Sequence, residues 1–204
     1  MNEESPSSRE GSVKGEQPAP HGAAVDAAAS VDLVQRYAAM AAGIGWTRGV
    51  LDQAGLVDDL AALPAQLRLQ SRAGATVLGV HASPQADDGQ GIEPGVTDEV
   101  LGALLAGCDA DVVIGGHTHL PADRLVDGIR ALNPGSTGLP HTCGAANWLL
   151  LEDDGDALAV MHRSAPFDVN EVVSDLAGRR HPNAEFVTSL LTGQREQMRA
   201  PSST

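Results

Sequence analysis

Aromatic side chains are scarce in this chain of 204 residues, since two Trp, two Phe and one Tyr make up only 2% of it. Hydrophobic residues nevertheless account for 42%. The core must therefore be built mainly from the aliphatic side chains of Ala, Leu and Val. The length allows one domain with a substantial core, or one domain with tails.

Basic residues are also few, with 13 Lys and Arg against 27 Asp and Glu and a formal net charge of −14. Binding to nucleic acid or to an anionic membrane surface requires clustered positive charge, so we expect neither kind of partner. An acidic balance is commonly a matter of solubility alone.

Cysteine is limited to Cys108 and Cys143, which lie far apart and do not indicate a disulfide framework. Cys108 adjoins a predicted strand, where we expect it to be a small buried apolar residue. The sequence has neither an apolar stretch of membrane-spanning length nor the apolar core of a signal peptide. These features predict a soluble, cytoplasmic protein.

The first 30 residues contain no Leu, Ile or aromatic residue and are rich in Glu, Ser, Gly, Pro and Ala. Such a segment cannot bury enough apolar surface to offset its ordering entropy, so residues 1–30 are predicted to be a disordered tail. A partial domain is predicted over residues 31–193, followed by a polar tail over 194–204.

The order of predicted elements indicates an α/β fold. A helical face is predicted by Leu33, Tyr37, Met40, Ala41 and Ile44, and Thr47 is expected to cap a second, short helix. Runs at 76–80 and 111–114 are apolar on both faces and predict buried strands, with a helix from 97 to 106 between them. Turns at 127–128 and 153–156 predict two hairpins, and helices are expected at 169–176 and 184–191. This order predicts an α/β sandwich that binds ligands at the carboxyl ends of its strands.

Three histidines follow directly on the two buried strands. His81 follows the first, while His117 and His119 end the run Val-Val-Ile-Gly-Gly-His-Thr-His. In an extended segment the side chains of residues two apart point the same way. Imidazole is a suitable ligand for Mn, Fe, Zn or Ni. A single histidine after a strand is more often structural, but this combination predicts a metal site.

A loop rich in glycine and hydroxyl groups follows a further predicted strand and includes Asn133, Gly135 and Ser136. Its successive backbone N–H groups could face an anion such as phosphate. The same composition is also that of an ordinary turn. His141 lies just beyond and is either close to the phosphate or simply a loop histidine.

Taken together, these segments resemble the carboxyl-terminal portion of a calcineurin-like metallophosphoesterase of the small bacterial phosphodiesterase type. The resemblance covers about residues 33–175. Its order and spacing suit that family, with His117 placed 36 residues after His81 and Asn133 a further 16 residues on. The matching segments are Gly45-Trp46-Thr47-Arg48, Leu63-Pro64, Val80-His81-x-Ser83-Pro84, Gly116-His117-Thr118-His119, Asn133-Pro134-Gly135-Ser136 and Pro166-Phe167-Asp168.

The resemblance implies an incomplete four-layer α/β/β/α sandwich that lacks the amino-terminal strands and helices. It implies two divalent metal ions in an intact family member, with His81 and His117 on one metal and His119 on the other. The implied chemistry is hydrolysis of a phosphomonoester or phosphodiester small molecule.

The family's first half supplies an Asp-x-His, a Gly-Asp and a Gly-Asn-His motif, and none of these occurs at a suitable place here. Three neutral imidazoles bring no negative charge to two cations, so we expect activity to be impaired and metal occupancy to be low. One metal on three histidines is the remaining possibility.

Three hypotheses stay open. The chain is a weakly active or inactive phosphoesterase, or a non-catalytic interaction module with at most a residual histidine site, or the product of a truncated gene. Self-association, or a partner that covers the exposed sheet, is expected under the second hypothesis.

Overall fold

The computed structural model describes residues 31–141 and 144–194. The chain divides into two compact units, residues 1–38 and 39–204. The described part of the first unit is the beginning of a helix, and every strand in the described residues belongs to the second unit. The predicted disordered tail, Cys143 and the residues from 195 onward lie outside the described residues.

Five helices occur in the described residues. They are α1 (Val31–Gln53), α2 (Val57–Ala61), α3 (Asp98–Leu105), α4 (Val169–Gly178) and α5 (Ala184–Leu191). The predicted break at Thr47 was wrong, because α1 continues through it. The hydroxyl of Thr47 donates to the carbonyl oxygen of Gly43 one turn earlier, at 3.0 Å, and is satisfied inside the helix instead of capping a new one.

The strands form two sheets in the described residues. They are β1 (Leu67–Gln70), β2 (Thr76–Gly79), β3 (Val112–Ile114), β4 (Ala122–Val126), β5 (Ile129–Asn133), β6 (Ala145–Asp153) and β7 (Leu158–Pro166). The larger sheet has the order β1-β2-β3-β5-β4, and β6 pairs with β7 in the smaller one. Strands β2, β3 and β5 are parallel neighbours, whereas β1 and β4 run antiparallel at the edges.

The parallel strands are buried on both faces. Leu78 and Val113 belong to one apolar cluster with Leu101 and Leu105 of α3. The preceding residues, Val77 and Val112, pack in a second cluster with Leu149, Leu151, Leu158 and Val160 of the smaller sheet. Alternate side chains of a strand point to opposite faces, so the larger sheet lies between α3 and the β6–β7 pair. The predicted α/β class is confirmed.

Local sequence signals place several of these elements. The hydroxyl of Thr97 accepts a hydrogen bond from the backbone N–H of Val100 and caps α3 as predicted. Asp127 and Gly128 both have positive φ, at 50° and 82°, in the tight turn that joins β4 to β5.

Apolar side chains are exposed at the β1 edge and on α1. Leu67 and Leu69 of β1 are 54% and 50% exposed, and Ile44 of α1 is 65% exposed.

His181 is half-buried and makes an edge-on contact with Trp46, with ring centroids 4.7 Å apart. None of the helices in residues 31–141 and 144–194 combines the length and the hydropathy needed to cross a membrane.

Candidate metal centre

Three loops meet at the carboxyl ends of three neighbouring parallel strands. His81 lies two residues beyond the end of β2, and His117 lies three residues beyond the end of β3. Asn133 is the last residue of β5. Because these strands are adjacent and parallel, their carboxyl ends share one edge of the sheet, which is where α/β folds bind ligands.

The rings of His81 and His117 contact each other at this edge. Nε2 of His81 lies 3.2 Å from Nδ1 of His117. The ring centroids are 5.1 Å apart and the ring planes are inclined by 75°. Two nitrogen atoms bound to one tetrahedral metal, each about 2.0–2.1 Å from it, lie roughly 3.3–3.4 Å apart. The observed separation is therefore suitable for chelation of one metal, and also for a hydrogen bond between the two rings.

The tautomer of His117 is determined by a backbone group. Nε2 of His117 lies 3.1 Å from the carbonyl oxygen of Gly89, which can only accept a hydrogen bond. Nε2 therefore carries the proton in the neutral ring, and Nδ1 keeps the lone pair that faces His81. Such a partner on the second nitrogen is what orients a metal-binding histidine.

The backbone around His117 and His119 is not extended, contrary to the assumption made for the His-x-His pattern. Both residues have left-handed φ values, 57° and 61°. The N–H of Gly116 donates to the carbonyl oxygen of His81 at 2.7 Å, and the carbonyl oxygen of Gly116 accepts the N–H of Thr118 at 2.6 Å, which closes a tight turn around His117. The side chains of His117 and His119 therefore do not follow the alternation of an extended strand, and that prediction was wrong.

His119 is half-buried in the same neighbourhood. Burial, which disfavours the charged ring, lowers the pKa of His119 below its ordinary value of 6.5, and a hydrogen bond involving the Leu139 backbone opposes this shift. Repulsion from His141, His117 and His81 lowers the pKa further. These effects favour the neutral ring of His119, the form in which imidazole accepts a proton or binds a metal.

The Asn133 loop is stabilised by hydrogen bonds between its own residues. The side-chain oxygen of Asn133 accepts the N–H of Gly135 at 2.9 Å, and the Ser136 hydroxyl oxygen accepts the N–H of Leu139 at 2.9 Å. The N–H of Gly135 is therefore engaged and does not face an open anion site. The Ser136 hydroxyl can still donate its own proton to a ligand.

The described residues bring together two strong ligand candidates. Within them, no group of three or more His, Cys, Asp or Glu side chains is arranged to hold a metal ion. His81 and His117 form a pair. Sequence patterns did not predict a role for Gly89, whose carbonyl oxygen bonds His117, or for Thr118, whose hydroxyl bonds the Asn133 side chain. Neither the carbonyl group of Gly89 nor the hydroxyl of Thr118 has a side-chain pattern that identifies such a role.

A sequence model described as a calcineurin-like phosphoesterase superfamily domain matches residues 24–156. The fold is similar to that of a hypothetical protein from Pyrococcus horikoshii OT3, with 21% identity and a TM-score of 0.57, over 66% of this chain and 52% of that one. It is also similar to a metallophosphoesterase from Sphaerobacter thermophilus, with 18% identity and a TM-score of 0.52, over 66% of this chain and 61% of that one. No curated protein matches the sequence. The chain therefore spans between about half and three fifths of the length of these two solved structures.

Proposed function

The chain belongs to the calcineurin-like phosphoesterase superfamily, and we propose that it contributes the histidine half of a divalent-metal site for phosphoester hydrolysis. Nε2 of His81 and Nδ1 of His117 hold one metal ion, and His119 binds a second metal where the other ligands are present. The observation that carries this proposal is the 3.2 Å separation of the two ring nitrogens at the carboxyl edge of the sheet.

The donor set fits a borderline divalent ion such as Mn, Fe, Zn or Ni. Two neutral imidazoles supply no negative charge, however, and no further His, Cys, Asp or Glu completes a group of three within the described residues. Metal binding by this chain is therefore expected to be weak, with water or a phosphate oxygen in the remaining coordination positions. Phosphoester hydrolysis is expected to be correspondingly impaired.

A bound metal would polarise a phosphoryl oxygen and lower the pKa of a bound water. The chain's own groups would orient the substrate and move protons. When no second metal is bound, the neutral form of His119 can accept a proton, whereas the Ser136 hydroxyl and the His141 ring are placed in this proposal close to the phosphate. Asn133 and Gly135 act on the phosphate only indirectly, because their polar groups are bonded to each other.

A non-catalytic interaction module is the second candidate. A surface groove of about 450 Å³ runs beside His81 and is lined by Pro64, Ala65, Leu67, Gly79, Val80, His81, Ile114, Gly115, Gly116 and Pro134. Its apolar lining and the exposed leucines of β1 favour contact with another polypeptide. If the chain is an interaction module, its histidines bind at most a residual metal.

Hydrolysis of bis(p-nitrophenyl) phosphate by the full chain in Mn²⁺ distinguishes the two candidates. The first predicts slow turnover that is lost in His117→Ala and kept in His162→Ala, whose exposed histidine lies on β7. Turnover that persists unchanged in His117→Ala would exclude this site as its source. Absence of turnover in the wild type, together with self-association that Leu67→Arg abolishes, would support the interaction module instead.

A further inference from the structure

Asn133 is the most extensively bonded polar side chain at this edge of the sheet. It is fully buried. Its side-chain nitrogen donates to the carbonyl oxygens of Ile92 at 2.9 Å and Gly116 at 2.6 Å and to the hydroxyl of Thr118 at 2.9 Å. Because the NH₂ group has two hydrogens and faces three acceptors, two of the acceptors share one hydrogen.

The orientation of this amide is determined by its partners. Reversing oxygen and nitrogen would bring the oxygen against two carbonyl oxygens and would face the NH₂ group with the N–H of Gly135. In that arrangement only the Thr118 hydroxyl could still form a hydrogen bond with the amide. The native orientation satisfies both ends of a buried amide, which would be destabilising if either end were unpaired.

The hydrogen bonds of Asn133 join three loops. The Gly116 and Thr118 bonds hold the segment that carries His117, and the Gly135 bond holds the Asn133 loop itself. The Ile92 bond holds the segment that begins at Gly89, whose carbonyl oxygen accepts the Nε2 proton of His117. One buried side chain thus connects a candidate ligand with the group that determines its tautomer.

Thr118 extends the same connection. Its hydroxyl donates to the Ile92 carbonyl oxygen at 3.2 Å and accepts from Asn133 and from the N–H of Leu120. A hydroxyl has one donor and two acceptor positions, and all three are occupied in Thr118.

We infer that Asn133 is a positioning residue that presents Nδ1 of His117 to a metal ion by holding the His117 and Gly89 segments in register. It does not contact the metal or the substrate. This inference rests on the proposed function. Residues that support a ligand in this way typically account for 10–100-fold in metal affinity.

The test is a zinc titration of the full chain by calorimetry, combined with nitrogen-15 NMR of the histidine rings in the metal-free protein. Asn133→Ala is expected to weaken zinc binding by about 10–100-fold. It is also expected to convert the single Nε2–H form of His117 into a mixture of tautomers. Zinc affinity and ring spectra that match the wild type would overturn the inference.

Two further variants keep the test decisive if Asn133→Ala does not fold. Thr118→Val removes one hydroxyl and is expected to give the same two effects in weaker form, whereas Thr118→Ser keeps the hydroxyl and is expected to behave like the wild type. Equal behaviour of these two variants would contradict the inference.

Val126→Ala controls for stability alone. Val126 lies opposite Ile129 at the far end of the β4–β5 pair, whereas Ala122 lies opposite Asn133. Val126→Ala is expected to lower the stability of the protein without changing the tautomer of His117. A similar change in tautomer in Val126→Ala would show that Asn133 acts only through stability, which contradicts the inference. If the wild type binds no zinc, the proposed function fails, and the tautomer spectra still test Asn133.

Discussion

The carbonyl oxygen of Gly89 lies 3.1 Å from Nε2 of His117 and fixes the proton there. Nδ1 of the same ring is thereby left with its lone pair, 3.2 Å from Nε2 of His81. A loop that contributes no ligand of its own therefore decides which nitrogen of His117 is available. This relationship connects the fold to the proposed chemistry, because it depends on how closely the 89–92 segment packs against the histidine loop.

Gly91 allows that close packing. A Cβ atom at this position would lie 2.8 Å from the Thr118 methyl group, which the Thr118 hydrogen bonds hold in place. Gly91→Ala is therefore expected to cost about 1–3 kcal/mol of unfolding free energy through overpacking. Zinc affinity should fall as well, because the displaced Thr118 adjoins His117. Urea unfolding and zinc titration measure the two effects.

Gly95→Ala is the matched control for that substitution, since nothing lies within 4 Å of its added Cβ. It is expected to be neutral or slightly stabilising, because alanine reduces the freedom of the unfolded chain. Equal losses of stability in the two variants would contradict the packing argument.

The Thr97 cap is expected to contribute measurably to the stability of α3. Its hydroxyl accepts the N–H of Val100, and α3 supplies Leu101 and Leu105 to the core. Thr97→Ala is expected to lower the unfolding free energy by about 1 kcal/mol, while Thr97→Ser keeps the cap and should change it little. Chemical unfolding provides the comparison, and a loss in Thr97→Ser as large as in Thr97→Ala would argue against the cap.

The Asp123–Arg130 pair predicts a pH-dependent contribution to stability. Arg130 bonds both carboxylate oxygens of Asp123, at 2.9 and 2.7 Å. These hydrogen bonds lower the pKa of Asp123 below its ordinary value of 3.8. The stabilisation is therefore present above about pH 3.8 and is lost as the pH falls through the lower folded-state pKa.

Asp123→Asn is accordingly expected to be less stable than the wild type at pH 7, by about 0.2–1 kcal/mol for a partly exposed pair. The difference should disappear at pH values below the pKa of Asp123. The control is Asp109→Asn, because Asp109 pairs with Arg68 but its side chain is 84% exposed. Unfolding midpoints at several pH values test this, and a difference that persists in strong acid would contradict the assignment.

Sequence patterns predicted the framework of this molecule better than the geometry of its site. Apolar runs identified β2 and β3, and Asp127-Gly128 identified the β4–β5 turn, because these signals are local. Thr47 misled the prediction because threonine both caps helices and bonds back within them, and only the structure shows which occurs.

The histidine loop was less predictable because partners distant in sequence determine its backbone. Gly116 bonds to the carbonyl oxygen of His81 and to the side chain of Asn133, which lie 35 residues before and 17 residues after it. The candidate ligands were recognisable from their types and order. Their φ values and the tautomer of His117 follow from contacts that no sequence period encodes.

Zinc titration of the full chain tests whether His81 and His117 jointly chelate a divalent metal. Weak binding at one site is expected in the wild type and in His162→Ala, and its loss is expected in both His81→Ala and His117→Ala. Failure of the wild type to bind zinc, or undiminished binding in His81→Ala and His117→Ala, would contradict joint chelation.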